Sequence, residues 1–376
     1  MFEAFASPPP DQIIALMQAY KADPRADKID LGVGVYKDAT GLTPLFRAVR
    51  AAQTQAAEQE KSKAYVGVRG DGGFCDAVAR LVFGAEADLS RIGSVQAVGG
   101  TGALRLLADA LAKIAPERRI DAPDITWPNH FPVLTAAGFA VEPYPYFDYD
   151  AGVVSFERFE AHLAAAPSGR IVLLHGCCHN PTGADPSPEQ WERVIAVVKA
   201  RGLLPFVDMA YHGFADGLET DAYLPRRLLA EGLPFALSYS CSKNFGVYRD
   251  RVGVAMLIAP SADVAERAQK SLMSAARANY SMPPHHGAEL VRRVLESAEL
   301  RADWEAELAE VRARVNGLRD QLATALRPLA PGNRFAAISA QRGMFSYLNL
   351  AEAQTEAMRR DHGVYAVAGG RINVAG

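Results

Sequence analysis

The chain has 376 residues, of which 49% are hydrophobic and 22% are charged, and its formal net charge is -3 at pH 7. This length can bury a large core and is long for a single domain, while the small net charge gives no broad attraction for nucleic acids or anionic membranes. The four cysteines lack a disulfide-framework spacing, which favours a reducing cytoplasm. The start has no apolar signal-peptide region and no apolar run reaches about 18 residues, so we expect no membrane partner.

Taken in chain order, the pattern predicts an N-terminal arm, a large domain and a small domain. Three consecutive prolines indicate an extended arm over residues 1–12. Alternating strands and helices over 45–300 predict an α/β domain with a mostly parallel sheet. Residues 13–44 and 301–376 are predicted to form a small α+β domain.

The individual elements follow from hydrophobic period and from turn residues. Short apolar runs predict buried strands at 171–174, 203–207, 235–239 and 252–258. Amphipathic patterns predict helices at 187–201, 261–276, 285–298 and 301–327. The small domain should add a strand at 343–350, a helix at 351–361 and a strand at 364–374.

A glycine-rich turn precedes the first strongly apolar helical pattern, predicted over 103–114. Gly99, Gly100 and Gly102 surround Thr101. Glycine lets the backbone approach an anion, and the N-terminus of a helix favours phosphate. The run is neither a Walker loop nor Gly-x-Gly-x-x-Gly, which disfavours a nucleotide, and a plain turn is the alternative.

The run HGCCHNPTG at 175–183 contains two histidines and two cysteines. A zinc site is disfavoured, because adjacent Cys177 and Cys178 would point to opposite faces of an extended segment. Neither Cys-x-x-Cys nor His-x-x-x-His occurs, so no metal is predicted. Asn180 belongs to a turn and could also donate to a bound ligand.

Asp208 ends the strand predicted at 203–207, and Tyr211 follows three residues later. A carboxylate at this place could bond a ring nitrogen of a bound cofactor and keep it protonated. The structural alternative is that Asp208 caps the next helix.

Lys243 follows an apolar run and is surrounded by hydroxyl groups, with Arg251 eight residues further on. An ammonium group is costly to desolvate, so a lysine at a buried strand end is unusual unless chemistry requires it. In a dry pocket near other cations it loses its proton easily and can form a Schiff base with an aldehyde. Ser240, Ser242 and Arg251 could hold a phosphate, which together suggests pyridoxal phosphate; a surface lysine is the alternative.

With these motifs in this order, the chain resembles the class I aminotransferases of the aspartate and aromatic-amino-acid subgroup, which have pyridoxal-phosphate fold type I. The resemblance runs from Phe2 to Gly376. The motifs that carry it are LGVGVYKD (31–38), YVGVRGDGGF (65–74), GGTGALR (99–105), TWPNH (126–130), HGCCHNPTGADP (175–186), VDMAYHGFADGL (207–218), SCSKNFGVYRDRVG (240–253), RANYSMPPHHGA (277–288) and GRINVAG (370–376). Members of this family usually continue through a further helix after the position that corresponds to Gly376. The sequence differs from them in this respect, and the difference bears on closure of the small domain.

The resemblance implies a large domain with a seven-stranded, mostly parallel sheet and a role for each matching residue. Catalysis is implied for Lys243, as Schiff-base lysine and proton carrier, together with Asp208 and Tyr211. Cofactor binding is implied for Gly100, Thr101, Trp127, Asn180, Asp208, Tyr211, Ser240, Ser242, Lys243 and Arg251, and for Tyr65 reaching in from a neighbouring subunit. Substrate binding is implied for Gly34, Trp127, Asn180, Arg371 for the α-carboxylate, and Arg277 for a distal carboxylate of the neighbouring subunit's substrate. His130 and His175 would support this set, with plain core packing as the alternative for them and for Trp127.

The activity implied by the resemblance is transfer of an amino group from an L-amino acid to 2-oxoglutarate through pyridoxal and pyridoxamine phosphate. The donor would be tyrosine or phenylalanine, aspartate, or both, and a homodimer with shared active sites is implied. Cys241 beside the lysine slightly favours the aromatic subgroup. The alternatives are a strict aspartate aminotransferase, a pyridoxal-phosphate lyase or decarboxylase on the same fold, and a non-enzymatic regulator, which would usually carry a DNA-binding domain.

Overall fold

The computed structural model describes residues 2–6, 12–329 and 335–376. Of the predicted arm, Phe2–Ala4 forms a short 3-10 helix rather than an extended segment. Residues 7–11 of that arm lie outside the described residues. The first α-helix begins at Gln12, the last residue assigned to the arm.

The described part of the chain contains thirteen α-helices and thirteen strands, numbered here in chain order, and five short 3-10 helices. The helices are α1 (Gln12–Ala22), α2 (Arg47–Gln59), α3 (Gly72–Phe83), α4 (Gly99–Leu111), α5 (His130–Ala136), α6 (Phe156–Ala165), α7 (Pro188–Arg201), α8 (Leu218–Asp221), α9 (Tyr223–Ala230), α10 (Ala262–Asn279), α11 (His286–Glu296), α12 (Ala298–Leu326) and α13 (Glu352–His362). The strands are β1 (Ile29–Asp30), β2 (Ile92–Val98), β3 (Arg119–Pro123), β4 (Ala140–Tyr144), β5 (Phe147–Asp148), β6 (Val153–Val154), β7 (Ile171–His175), β8 (Leu204–Met209), β9 (Phe235–Ser240), β10 (Val252–Ile258), β11 (Phe345–Tyr347), β12 (Val364–Tyr365) and β13 (Arg371–Asn373).

The large domain is built on one seven-stranded sheet with the strand order β2-β10-β9-β8-β7-β3-β4. Strands β9, β8, β7, β3 and β4 pair in parallel, whereas β10 runs antiparallel to both of its neighbours. The chain passes from β9 to β10 without a crossover helix, so the strand direction reverses there. The predicted α/β architecture with a mostly parallel seven-stranded sheet is confirmed.

This topology fixes where polar side chains at strand ends meet. Register pairs His175 with Asp208 and Asp208 with Ser238. The carboxyl ends of β7, β8 and β9 therefore lie side by side at one edge of the sheet, which is where open α/β sheets usually bind ligands.

Two predicted helix boundaries shift for identifiable reasons. Helix α4 begins at Gly99 rather than at residue 103, so the glycine-rich turn is itself the first helical turn. The predicted helices 285–298 and 301–327 are observed as α11 and α12, divided at Ser297. The Ser297 hydroxyl accepts a hydrogen bond from the Leu300 N–H at 3.3 Å and so caps α12.

The small domain contains two short sheets, β1 paired in parallel with β12 and β11 paired antiparallel with β13. The predicted strand 343–350 is reduced to β11, and the predicted strand 364–374 is divided into β12 and β13. Gly369 and Gly370, with φ of +77° and +79°, form the turn between them, because positive φ cannot continue a strand. Within the described residues, none of the helices has the length and apolar character needed to span a bilayer.

Candidate active site

The strand ends of the large domain and one face of the small domain enclose a cavity of about 200 Å³. It is lined by Ile13, Gly34, Gly100, Thr101, Leu104, Trp127, His175, Cys177, Asn180, Asp208, Ala210, Tyr211, Ser240, Ser242, Lys243, Arg251, Phe345 and Arg371. All but two of the predicted site residues belong to this lining; the exceptions are Tyr65 and Arg277.

Lys243 lies in the loop between β9 and β10, with its Nζ 4.8 Å from the centre of the Tyr211 ring. Burial lowers the pKa of Lys243 to about 8; the nearby charge of Arg251 also lowers it, while that of Asp208 raises it. The amine is therefore neutral far more often near pH 7 than an ordinary lysine, and the neutral form is the nucleophile for an aldehyde.

Asp208 reaches the cavity from β8, and in the described part of the chain its carboxylate is held by one hydrogen bond, from His130 Nε2 to Oδ2 at 3.1 Å. Burial acts to raise its pKa, but the hydrogen bond from His130 and the neighbouring electrostatic contributions, including the positive charge of Lys243, together outweigh it, so that the pKa of Asp208 is lowered. The carboxylate stays ionised and can hold a protonated ring nitrogen. Asp208 caps no described helix, so the capping alternative fails.

A hydrogen-bonded chain behind Asp208 fixes this arrangement. Thr126 Oγ1 lies 2.9 Å from His130 Nδ1 and 2.7 Å from His175 Nε2. Burial lowers the pKa of His175 to about 3, so its ring is neutral. Thr126 was not singled out from the sequence, since a threonine beside a tryptophan carries no local signal of such a bridge.

An anion cradle lies at the N-terminus of α4. Gly100 is so close to Ser240 that an added Cβ would lie 3.0 Å from the serine Cβ, and Arg251 lies directly against Gly99. Arg251 Nη1 donates to Ser242 Oγ at 3.4 Å. A guanidinium, two serine hydroxyls and a helix N-terminus converge here, a donor set that fits a phosphate group.

The remaining predicted cofactor contacts also face the cavity. The Asn180 Oδ1 atom is buried and makes no hydrogen bond within the described residues. Burial raises the pKa of Tyr211, so its hydroxyl remains a protonated donor. Trp127 is half-buried and lies edge-on to His130, with ring centres 5.3 Å apart. One cavity therefore holds an amine that can react with an aldehyde (Lys243), a carboxylate (Asp208), a side-chain amide whose oxygen accepts no hydrogen bond from the described residues (Asn180) and an anion cradle. This set of groups fits pyridoxal phosphate.

The small domain contributes the other wall. Arg371 is 4% exposed, lies on β13 and donates from Nη2 to the carbonyl of Gly32. Its Cζ lies 4.7 Å from the centre of the Phe345 ring. Gly34 faces the same ring so closely that an added Cβ would lie 3.1 Å from Phe345 Cζ. Phe345 was missed in the sequence, where it is one apolar residue of a strand.

Tyr65 and Arg277 do not lie in this chain's cavity. Tyr65 is 88% exposed, and Arg277 is exposed near the end of α10, where it donates to Ser281 Oγ. Both side chains project to the outside of the subunit, so a role at an active site needs a second chain.

The prediction that Cys177 and Cys178 point to opposite faces of an extended segment is wrong. Cys178 has φ +53°, so the backbone is not extended there. The thiols of Cys177 and Cys178 and a carboxylate oxygen of Asp221 lie within 4.8 Å of one another. The Asp221 oxygens already accept hydrogen bonds from the N–H groups of residues 213, 215, 216 and 217. This carboxylate is therefore engaged by the backbone.

Comparison with known proteins identifies the family. The family model described as aminotransferase class I and II matches residues 26–376. The chain belongs to this family. The predicted membership is confirmed, and with it the transaminase function.

Relatives named as aromatic-amino-acid aminotransferases and relatives named as aspartate aminotransferases both align over nearly the whole chain. An aromatic-amino-acid aminotransferase of Paracoccus denitrificans is 46% identical, with 98% of this chain and 93% of that protein covered. An aspartate aminotransferase of Escherichia coli is 42% identical, with 100% of this chain and 96% of that protein covered. The structure of an aromatic-amino-acid aminotransferase from Burkholderia pseudomallei, covalently bound to pyridoxal phosphate, superimposes with a TM-score of 0.96 at 42% identity, covering 100% of this chain and 95% of that one.

Proposed function

We propose that this aminotransferase uses pyridoxal phosphate, held covalently by Lys243, to move an amino group from an L-amino acid to a 2-oxo acid. The observation that carries the proposal is the convergence of Lys243, Asp208 and the anion cradle in one cavity. The covalently bound pyridoxal phosphate in the Burkholderia pseudomallei relative supports the same cofactor here.

Each residue has a defined role in this proposal. The bound cofactor supplies an electron-accepting ring that stabilises the negative charge left on the substrate Cα after proton removal. Asp208 holds the proton on the ring nitrogen. Lys243 Nζ, as a neutral amine, would be the base that takes the substrate Cα proton and hands it on. Tyr211 and Asn180 would hold the phenolic oxygen of the cofactor, and Trp127 would pack against its ring.

Substrate orientation is assigned to Arg371 and Gly34. A guanidinium binds a carboxylate through two parallel hydrogen bonds, so Arg371 suits the α-carboxylate that every amino acid carries. Phe345 lines the cavity beside Arg371, and its apolar ring suits an aromatic side chain. We therefore propose donors of the aromatic class, with aspartate and glutamate also accepted; a strict aspartate aminotransferase is the alternative.

We further propose a homodimer with two shared sites. The exposed Tyr65 and Arg277 support it, because each would serve the partner's cavity, Tyr65 at the phosphate and Arg277 at a distal carboxylate. A two-fold axis would supply both contacts at both sites. The four cysteines form no disulfide, which is consistent with the proposed cytoplasmic location.

The activity is tested by incubating purified protein with pyridoxal phosphate, 2-oxoglutarate and one amino acid at a time, while following glutamate formation. Tyrosine, phenylalanine and aspartate should all support it. Release of carbon dioxide or ammonia in place of glutamate would overturn the proposal and favour a decarboxylase or lyase.

The shared sites are tested by mixing two inactive proteins, Lys243→Ala and the double variant Tyr65→Ala/Arg277→Ala. A hybrid dimer contains one intact site, so part of the activity should return. Hybrid dimers demonstrated by mass without recovered activity would place Tyr65 and Arg277 outside the site.

A further inference from the structure

A fully buried arginine contacts the substrate wall of the cavity from behind. Arg319 lies on the long helix α12 and is 0% exposed. Its Nη1 donates to the carbonyl of Phe345 at 3.1 Å and to Ser346 Oγ, and its Nη2 donates to the carbonyl of Gly343. All three acceptors belong to one short segment, residues 343–346.

Among the described residues, the groups that accept hydrogen bonds from the Arg319 guanidinium are two backbone carbonyls and a hydroxyl, all of them neutral. Burial lowers the pKa of Arg319 to about 10. A buried charge without a partner charge is costly, and an apolar side chain of similar volume often stabilises a fold as well or better. The guanidinium therefore suits a geometric role, because its planar fork can fix three acceptors of one segment together.

The segment that Arg319 holds carries the ring next to the carboxylate-binding arginine. Phe345 lies 4.7 Å from Arg371 Cζ on one side and meets Tyr211 edge-on, with ring centres 5.8 Å apart, on the other. Gly34 closes the third side. A shift of residues 343–346 would therefore displace the surface against which the Arg371 guanidinium lies.

The same segment also packs against the turn that carries Asn180. The Arg342 N–H donates to the Gly183 carbonyl at 2.7 Å, and an added Cβ at Gly343 would lie 2.4 Å from Cys178 Cβ. With this contact on one side and Arg319 on the other, the segment has two fixed supports. Interiors packed this tightly transmit a displacement rather than absorb it.

We propose that Arg319 is a positioning residue for substrate binding: by holding residues 343–346 it fixes Phe345, and through Phe345 the orientation of the Arg371 guanidinium. It touches neither substrate nor cofactor. This inference rests on the proposed function, because it takes Arg371 as the group that binds the substrate carboxylate.

The test measures binding rather than turnover. The probe is 3-phenylpropionate, a carboxylate that has an aromatic side chain but no amino group, titrated into the cofactor-loaded protein while the cofactor absorbance is followed. Arg319→Lys keeps the charge but loses the planar fork, and should weaken probe binding at least tenfold. Ser346→Ala removes one acceptor and should weaken it about threefold. The affinity for pyridoxal phosphate should change by less than threefold in both.

Arg312→Met is the matched control on the same helix, because Arg312 also donates to a carbonyl, that of Gly213. It should leave probe binding within twofold of the unmodified chain. The route through the ring is tested in a Phe345→Leu background, where Arg319→Lys should alter probe binding by less than threefold, because coupled residues are not additive.

Three results would overturn the inference. Unchanged probe affinity in Arg319→Lys with a lowered melting temperature would make Arg319 a purely stabilising residue. A full tenfold loss in the Phe345→Leu background would exclude the route through the ring. If Arg319 variants do not fold, unchanged probe affinity in Ser346→Ala would overturn the inference that Arg319 positions residues 343–346. Failure of the unmodified protein to bind either pyridoxal phosphate or the probe would instead overturn the proposed function itself.

Discussion

Replacing Asp208 by asparagine gives the sharpest test of the proposed chemistry, because it removes one charge while keeping the shape of the side chain. His130 donates to Oδ2 of this carboxylate, and in the described part of the chain Oδ1 makes no bond to protein, so it is available to a ring nitrogen. Hydrogen bonds to charged groups contribute about 1.5–3 kcal/mol. If that energy is expressed in the transition state for proton removal, Asp208→Asn should slow the step about 10- to 150-fold.

The assay is a single half-reaction, in which the cofactor-loaded protein is mixed with phenylalanine and the loss of cofactor absorbance is followed. A second reading comes from the cofactor-free protein, where the rate of covalent cofactor capture should rise with pH around 8, the pKa of Lys243. The Asp208 charge raises that pKa, so in Asp208→Asn the rise should move to lower pH. Covalent attachment itself should persist.

The matched control is Asp121→Asn on β3, a strand of the same sheet that is separated from β8 by β7. Asp121 is also a buried carboxylate, but it pairs with Arg170 and His162 and does not line the cavity. It should lower stability and leave the half-reaction unchanged. A half-reaction of Asp208→Asn within tenfold of the unmodified protein, about 1.4 kcal/mol in barrier, would refute the assignment of Asp208 to the ring nitrogen.

Three further predictions concern single side chains. Burial holds the pKa of Lys243 at about 8 in the folded chain, against 10.5 in the unfolded one. The unfolding free energy of the cofactor-free protein should therefore rise by up to about 3 kcal/mol between pH 8 and 10.5. Urea titrations of Lys243→Met should lack this rise. Arg371→Ala should impair the half-reactions of all amino acids together, whereas Arg277→Ala should impair aspartate at least about tenfold more than phenylalanine, and equal losses would count against a distal-carboxylate role. Trp304→Phe should cost about 1–3 kcal/mol in urea unfolding, since Trp304 Nε1 donates to the buried Asn244 carbonyl at 2.6 Å, and an unchanged midpoint would contradict this.

Much of the site could be predicted from the sequence because its parts lie at the ends of elements with strong local signals. Buried apolar runs place Asp208 and Lys243 just at or after strands, and the carboxyl ends of adjacent parallel strands meet at one edge of a sheet. Glycines before an apolar helix indicate an anion-binding turn without knowledge of the rest of the fold. The family resemblance then assigned Asn180 and Arg371, whose surroundings give no such local signal.

Other features depend on contacts between segments far apart in the chain, and only the tertiary structure decided them. The bent backbone at Cys178 lies against Gly343, and the Phe345 ring lies between Gly34 and Arg371. Local propensity and hydrophobic period are properties of a few neighbouring residues. Which distant surfaces meet is set by packing of the whole core. The sequence by itself therefore determined the elements, the family and the cofactor chemistry, whereas the support of the substrate wall by Arg319 became visible only when the core was assembled.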